Sequence, residues 1–232
     1  MSAPAIAVTQ VRKRYVDGNR RLDAVAEVDL EIPEGALWVL CGPSGSGKTT
    51  LLGLMGAMVA PTSGTVEIHG QDVTHLRDHH RTQVRRERLG FVFQDLQLIS
   101  GMSVLENVLL PCVPSGGASA EDAARARELL VRFGLKGEIE ARAERLSGGQ
   151  RQRAAIARAL VLQPKILLLD EPTAHLDTAN ALEVVSLLFE LRDEGTTVVC
   201  ATHDPRLSDD ERVDRVVSMC DGAVVSDPEP QA

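Results

Sequence analysis

The stretch Ala36–Leu52, ALWVLCGPSGSGKTTLL, decides how the rest of the chain is read. Its first six residues form an apolar run typical of a buried strand, and the residues from Lys48 onward favour a helix. Between them, Gly42–Thr49 matches the phosphate-binding loop pattern, which needs a strand before the loop and a helix after it. The stretch therefore predicts a site for a nucleoside triphosphate; the alternative is a glycine-rich turn without a ligand.

The phosphate-binding loop uses backbone groups as well as side chains. Its glycines let successive N–H groups face a polyphosphate without Cβ clashes, and the following helix adds the positive end of its dipole. Lys48 would reach the β- and γ-phosphates, and the Thr49 hydroxyl would bind Mg²⁺. The loop residues predicted to hold the nucleotide are Gly42, Pro43, Ser44, Gly45, Ser46, Gly47, Lys48, Thr49 and Thr50.

Composition limits the possible partners of the chain. Its 232 residues suit one large α/β domain or two small ones, with 44% apolar and 25% charged residues as in ordinary globular proteins. Only 3% are aromatic and the net charge is −8, which argues against nucleic acid, since such binding needs clustered Lys and Arg or stacking aromatics. No apolar run approaches the roughly 18 residues of a membrane span. Any action on a membrane is therefore expected to need a partner.

Hydrophobic periodicity separates two kinds of strand. Ala5–Val11 and Ala24–Ile32 alternate between apolar and polar residues, which indicates half-exposed antiparallel strands. The continuous apolar runs Ile166–Asp170 and Thr197–Ala201 indicate buried strands. Further expected elements are strands at Thr65–Ile68 and Leu89–Phe93, helices at about Gln150–Leu162 and Ala179–Leu191, and a closing hairpin at Val213–Val225.

The segment from Leu96 to about Leu146 has a different pattern, which predicts a mostly helical insertion. Ser103 and Glu106 form a capping box that opens one helix. Ser119–Phe133 reads as an amphipathic helix with a second cap, and Pro111–Gly117 reads as a loop.

Two further motifs point to the same chemistry. Ile166–Glu171 is an apolar strand that ends in adjacent carboxylates, Asp170 and Glu171, at the edge of an α/β sheet where ligands bind. Successive side chains of a strand point to opposite faces of the sheet, so these two carboxylates are expected to point differently. One can then serve a metal and the other a nucleophilic water. Ser147 and the two glycines after it open a helix; alone they predict an ordinary cap, but beside a phosphate loop they predict a second phosphate-binding surface.

Together these motifs resemble those of the ATP-binding-cassette ATPases, and the resemblance covers nearly the whole chain. The matching segments are GPSGSGKTT at Gly42–Thr50, Gln94 in FVFQD, LSGGQRQR at Leu146–Arg153, LLLDEPT at Leu167–Thr173, HLD at His175–Asp177 and ATHD at Ala201–Asp204. The resemblance implies an α/β fold: a P-loop NTPase core with a mostly parallel sheet, N-terminal antiparallel strands and an inserted helical subdomain. We expect a single domain, 1–232, with a core at about 1–95 and 150–225, the helical subdomain at 96–149, and a flexible tail at 226–232.

The resemblance also implies how ATP and Mg²⁺ are held. Two copies of the chain would form a head-to-tail dimer around two ATP molecules. Each ATP would lie between Gly42–Thr50 of one copy and the signature segment of the other, which consists of Ser147, Gly148, Gly149 and Gln150.

Individual roles follow from the same family pattern. Tyr15 would stack on adenine, although an aromatic residue after a strand can also be a plain edge residue. The remaining implied roles are metal binding by Thr49, Gln94 and Asp170, water activation by Glu171, γ-phosphate contacts by Lys48 and His203, and coupling of the two sites by Asp177.

One branch of the family is especially similar in Gly42–Leu52 and Leu96–Pro111, namely the lipoprotein-releasing, macrolide-efflux and cell-division-type ATPases. Its members are short ATPases that dock on a separate membrane protein. The resemblance thus implies an integral membrane partner near Gln94 and Leu96–Leu105, with the chain cytoplasmic and peripheral on the inner face of the membrane. About half of the apolar residues in that segment are expected to be core instead.

The chain departs from this branch at Ala174-His175, where Gly-Asn is usual. Near a dimer interface, titration of His175 could tune closure; a tolerated polar substitution is the alternative.

Other readings leave motifs unexplained. A soluble regulatory or DNA-repair ATPase of the same superfamily would carry a long coiled coil or a second cassette, and a small-molecule kinase would lack the signature. His75 and His79 have the i,i+4 spacing of a helical metal site, but the five arginines around them disfavour a cation. That basic run either contacts anionic lipid or an acidic partner, or is a solvated surface.

Overall fold

Two sheets organise the chain in the computed structural model, which describes residues 3–18 and 20–226. The strands are β1 (Ile6–Asp17), β2 (Arg20–Ile32), β3 (Leu37–Cys41), β4 (Ser63–Ile68), β5 (Gln71–Asp72), β6 (Leu89–Val92), β7 (Ile166–Asp170), β8 (Thr197–Ala201), β9 (Arg215–Cys220) and β10 (Ala223–Ser226). The helices are α1 (Lys48–Met55), α2 (Asp78–Arg88), α3 (Val104–Leu109), α4 (Ala120–Arg132), α5 (Gly148–Leu160), α6 (Thr178–Asp193) and α7 (Pro205–Ser208).

The N-terminal sheet is antiparallel, in the order β2-β1-β4-β5. Strands β1 and β2 pair from Ile6 opposite Ile32 to Asp17 opposite Arg20, so both extend beyond the alternating stretches that predict them. Pairing in an antiparallel ribbon continues to its turn because each strand satisfies the other's backbone groups, whatever the side-chain pattern.

The second sheet has the order β10-β9-β3-β8-β7-β6, and all of its pairs are parallel except that of β9 with β10. Parallel strands bring their carboxyl ends to one edge. The ends of β3, β7 and β8 therefore place Gly42, Asp170 and Thr202 at the same edge of the sheet.

Alternate residues of the parallel strands enter two different cores. Leu167 and Leu169 of β7 pack with α5 and α6, whereas Ile166 and Leu168 pack with α1 and the N-terminal sheet. All five residues of β7 are buried, which explains why this strand reads as a continuous apolar run.

The segment between β6 and α5 is helical, as the sequence predicts. Capping boxes begin α3 at Ser103 and α4 at Ser119. The stretch predicted as a loop is instead a 3₁₀ helix, Leu110–Ser115, with a proline in its first turn, where an N–H would lack a partner anyway.

Helix α2 is the largest element absent from the sequence predictions. Only Val84 of its residues is buried, so the segment carries almost no apolar periodicity. His75 precedes this helix, which begins at Asp78, so the helical spacing proposed for His75 and His79 is wrong. Among the described residues, no group of three or more His, Cys, Asp or Glu side chains could hold a metal ion.

Two boundaries also differ from prediction. Helix α5 begins at Gly148 because Ser147 caps it there, and Ser226 closes strand β10 instead of opening a tail. The remainder of that expected tail lies outside the described residues. Within 3–18 and 20–226, no helix combines the length and apolar character that crossing a bilayer requires.

Candidate active site

Glycines fix the path of the loop between β3 and α1. Gly42 and Gly47 both have positive φ, and a Cβ on either would lie 2.2 Å from a backbone oxygen, that of Met219 or Ala24 respectively. A Cβ on Gly45 would meet nothing within 4 Å. The loop is therefore packed tightly on one side and open on the other, and no side chain caps the N-terminal N–H groups of α1.

Two buried polar groups of the loop lack a full set of partners. The Lys48 side chain is almost fully buried, and its Nζ donates to the carbonyl oxygens of Gly42 at 2.7 Å and Pro43 at 3.0 Å. The Ser46 hydroxyl is buried and has no hydrogen-bond partner among the described residues. A buried ammonium and an unpaired hydroxyl beside open N–H groups fit the oxygens of a phosphate group.

Thr49 and Asp170 meet at the sheet edge, where the Thr49 hydroxyl donates to the Asp170 carboxylate at 3.1 Å. Burial raises the pKa of Asp170 above its ordinary value; the Thr49 hydrogen bond opposes this, and the neighbouring charge of Glu171 adds to it. A buried carboxylate beside a hydroxyl is the kind of oxygen donor set that Mg²⁺ prefers, so these residues fit that ion.

Glu171 contacts residues that follow β8. Its two carboxylate oxygens meet His203 Nδ1 at 2.8 Å and accept from the Thr202 hydroxyl at 3.0 Å. The His203 side chain is 72% exposed and that of Glu171 only 12%, so the histidine reaches outward from a carboxylate that is held in place.

A cavity of about 490 Å³ gathers most of the predicted residues. Its lining consists of Tyr15, Leu22, Asp23, Ala24, Ser44, Gly45, Ser46, Gly47, Lys48, Thr49, Thr50, Gln94, Glu171, His203 and Asp221. Gly42 and Pro43 lie at the base of the loop, and Asp170 is reached through Thr49.

The signature segment lies elsewhere, outside this cavity. Ser147 caps α5 and is exposed, and Gln150 closes a capping box with it. Gly149 packs so closely on Asn180 that a Cβ would lie 2.0 Å from the amide oxygen. Asn180 in turn donates to Asp177, the exposed cap of α6. Ser147–Gln150 and Asp177 thus share a second surface of the same chain.

Sequence reasoning missed several residues that hold the site together. Asp204 accepts from Thr173 and Arg206; burial raises its pKa, but these hydrogen bonds outweigh burial and lower the pKa to about 2. Asp204 therefore ties the loop after Glu171 to the segment after His203. Its place directly after His203 was the signal available in the sequence.

Arg158 of α5 is a second missed residue. It donates to the carbonyl oxygens of Leu96 and Gln97, the latter at 2.7 Å. Both residues have positive φ, so this guanidinium stabilises an unusual backbone directly after Gln94.

The chain is similar in sequence to known proteins over most of its length. A sequence profile of the family described as ABC transporter matches residues 25–174. The lipoprotein-releasing system ATP-binding protein LolD of Anaeromyxobacter dehalogenans is 44% identical over 229 residues, covering 98% of this chain and 95% of LolD. The macrolide export ATP-binding/permease protein MacB of Bradyrhizobium diazoefficiens is 40% identical over all 232 residues. The chain covers only 35% of that MacB, so it spans about a third of the length of such relatives.

Solved structures match over the same extent. A dimeric structure of the ATP-binding cassette MJ0796 has a TM-score of 0.90 and 38% identity, covering 98% of this chain and 99% of that one. A dimeric post-hydrolysis state of MJ0796 bound to ADP and Pi has a TM-score of 0.90 and 37% identity, with the same coverage.

Proposed function

Because the chain belongs to the ABC transporter family, we propose that it binds and hydrolyses ATP as the nucleotide-binding subunit of a membrane complex. The observation that carries this proposal is the meeting of three sequence-distant segments in one cavity: the loop Gly42–Thr50, Glu171 at the end of β7, and His203 after β8. These segments supply a phosphate cradle, a carboxylate for water and an exposed imidazole. That set suits hydrolysis of a phosphoanhydride.

The nucleotide would lie along the cavity with its phosphates on the loop. The uncapped N–H groups of α1, the Ser46 hydroxyl and Lys48 would bind the phosphate oxygens. Lys48 would exchange its bonds to loop carbonyls for bonds to the β- and γ-phosphates. Tyr15, which is 45% exposed and lines the same cavity, would offer its ring to the base.

The metal would be held by Thr49, Asp170 and Gln94. When bound, Mg²⁺ neutralises charge on the phosphate oxygens and orients them. Asp170 gains from this arrangement, since a nearby cation offsets the cost of keeping its carboxylate ionised in a buried position.

Glu171 would position the attacking water and receive its proton while the water oxygen bonds to the γ-phosphorus. The bond from that phosphorus to the β-phosphate oxygen breaks in line, and ADP leaves. His203, held at Nδ1 by Glu171, would donate from Nε2 to the γ-phosphate. Thr202 and His203 restrict Glu171 to one orientation, which is what positioning of the water requires.

A second copy of the chain would complete each site. On the surface formed by Ser147–Gln150 and Asp177, Ser147 and Asp177 are exposed, and none of these residues lines the cavity of its own chain. In a head-to-tail dimer it would contact the γ-phosphate held by the other copy, with the start of α5 contributing its N–H groups.

An integral membrane protein is the proposed second partner, docking near Gln94 and Leu96–Leu105. Val104 and Leu105 belong to the core, whereas Leu96 and Leu98 are partly buried and Ile99 is 48% exposed, so only part of the segment can receive a partner. The chain would then be cytoplasmic, on the inner face of the membrane. LolD, named for lipoprotein release, matches this chain over almost its full length, which favours a separate partner of that type.

Replacement of Glu171 by Gln tests the proposal. The Glu171→Gln protein should bind ATP normally and turn it over about 10² to 10⁴ times more slowly, because the amide cannot accept a proton from water. With ATP it should accumulate as a dimer, seen as a doubling of mass by light scattering.

Glu211→Gln is the matched control, since Glu211 is an exposed carboxylate outside the cavity. Wild-type turnover in Glu171→Gln would refute the role of the carboxylate. Failure of the wild-type protein to bind ATP would refute the proposed function itself.

A further inference from the structure

The turn Asp221–Gly222, between β9 and β10, is fixed against the phosphate-binding loop. The Gly222 N–H donates to the Ser46 carbonyl at 3.0 Å, and the Gly222 carbonyl accepts from the Ala26 N–H at 2.8 Å. A Cβ on Gly47 would lie 3.4 Å from the Gly222 Cα. The turn therefore has no freedom to move independently of the loop.

Two carboxylates line the wall of the cavity beside this turn, Asp23 and Asp221. Asp23 is already engaged, because Arg14 donates to its two oxygens at 2.7 and 2.9 Å. Asp221 is exposed, and within residues 3–18 and 20–226 its carboxylate makes no hydrogen bond or ion pair. Asp221 is therefore a residue of the cavity lining whose carboxylate has unused acceptor capacity.

The chemistry of a carboxylate restricts what it can meet there. An ionised carboxylate only accepts hydrogen bonds, and it repels phosphate oxygens. A nucleotide offers neutral donors in its sugar hydroxyls and in its base. The turn contacts the phosphate-binding loop, and Asp221 lines the same cavity as Tyr15. The sugar, which joins the phosphates to the base, is therefore the donor that we expect Asp221 to meet.

We propose that Asp221 accepts a hydrogen bond from a ribose hydroxyl of the nucleotide in this cavity. The inference rests on the proposed function and adds to it a residue that recognises the sugar of the nucleotide. No motif of the sequence analysis includes this residue, because only the contact between the β9–β10 turn and the loop brings it to the site.

Binding of ADP, 2′-deoxy-ADP and 3′-deoxy-ADP in the presence of Mg²⁺, measured by isothermal titration calorimetry, tests the inference. Diphosphates avoid turnover during the titration. For the wild-type protein, one of the deoxy analogues should bind about tenfold more weakly than ADP, the size expected for one hydrogen bond to a charged acceptor.

The substitutions must respect the backbone, since Asp221 has a φ of 49°, in the left-handed region. Glycine and asparagine both tolerate this conformation. In Asp221→Gly the ratio of deoxy-ADP to ADP dissociation constants should fall to about one, while Asp221→Asn, which keeps an acceptor oxygen, should retain part of the preference. Glu211→Ala removes an exposed carboxylate outside the cavity that has no partner in the part of the chain that the structure describes, and it should keep the wild-type ratio.

A wild-type ratio in Asp221→Gly would overturn the inference. If Asp221→Gly bound all three ligands more tightly than wild type by the same factor, the inference would also be overturned, because the carboxylate would then only repel the phosphates. If the wild-type protein bound ADP but did not distinguish the analogues, the inference would fail and the proposed function would stand. Failure of the wild-type protein to bind ADP would refute both the inference and the proposed function.

Discussion

Asp170 and Glu171 are neighbours in sequence but have different surroundings. Asp170 is the last residue of β7, buried against Thr49 of α1. Glu171 has a φ of 50°, which turns the backbone out of the strand and directs its carboxylate to Thr202 and His203. The period of two predicts that the side chains diverge, but only the left-handed backbone accounts for the contacts of Glu171.

Asp170→Asn should stabilise the nucleotide-free protein. Burial raises the pKa of Asp170 in the folded protein. As the pH rises through this pKa, ionisation of the buried carboxylate lowers the free energy of unfolding. Below the pKa of the unfolded state, where the group is protonated in both states, this cost is absent. The asparagine keeps an acceptor for Thr49 without the buried charge. We expect a melting temperature higher by about 2–4 °C at pH 7 and nearly equal at pH 3.5.

Thermal unfolding with and without Mg-ATP measures this effect. The same variant should lose most of its stabilisation by Mg-ATP, since it lacks the carboxylate proposed for the metal. A melting temperature below that of wild type at pH 7 would mean that the carboxylate contributes stability in the free protein.

Helices α3, α4 and α5 begin with the same device, a serine and a residue three positions later that cap each other. The sequence pattern points to all three caps because a capping box is local, although it places the first turn of α5 near Gln150 and not at Gly148. It does not separate a structural cap from a ligand-binding one. That distinction comes from what lies around each helix start.

Ser119→Ala and Ser147→Ala make a matched pair for this distinction. Each removes an exposed cap and should cost about 1 kcal/mol of unfolding free energy. Only Ser147→Ala should weaken ATP-dependent dimer formation in the Glu171→Gln background, followed by sedimentation velocity. Equal weakening by both would show that helix stability, and not contact with the partner's nucleotide, is responsible.

Helix α2, unlike the capped helices, has no local sequence pattern that predicts it. It is polar on nearly all sides and lacks a side-chain cap, so neither periodicity nor a helix-start signal predicts it. Its own Arg85 anchors it to the rest of the fold by donating to the Ala57 carbonyl oxygen at 2.9 Å. Such an element depends on tertiary contacts that a local pattern does not contain.

At the scale of the whole molecule, the cavity and the Ser147–Asp177 surface are separate parts of one chain. The fold gives each chain one of each, so the proposed head-to-tail pair would form two equivalent composite sites. This geometry makes the two surfaces separable by mutation.

Mixing two inactive variants tests this arrangement. Lys48→Ala should abolish ATP binding at its own loop, and Ser147→Glu should place a carboxylate against the partner's nucleotide. A mixed dimer would contain one intact site, so an equal mixture should recover roughly a quarter of wild-type turnover if the sites act independently. Activity no greater than that of the separate proteins, at concentrations where wild type dimerises, would contradict composite sites.

The sequence by itself determined the features encoded by neighbouring residues: the loop Gly42–Thr49, the buried strands Ile166–Asp170 and Thr197–Ala201, and the capped helix starts. These could be predicted because glycine conformation, apolar periodicity and capping act over a few positions. The ends of β1 and β2 and the whole of α2 could not, since pairing and packing set them.

The tertiary structure alone decided which segments meet. The order β9-β3-β8-β7 brings the Asp221 turn to the loop and His203 to Glu171, and α5 reaches across to hold the Gln94 segment through Arg158. Both faces of this sheet are buried in two separate cores, so its assembly depends on all of the elements together. No single stretch of the chain carries that information.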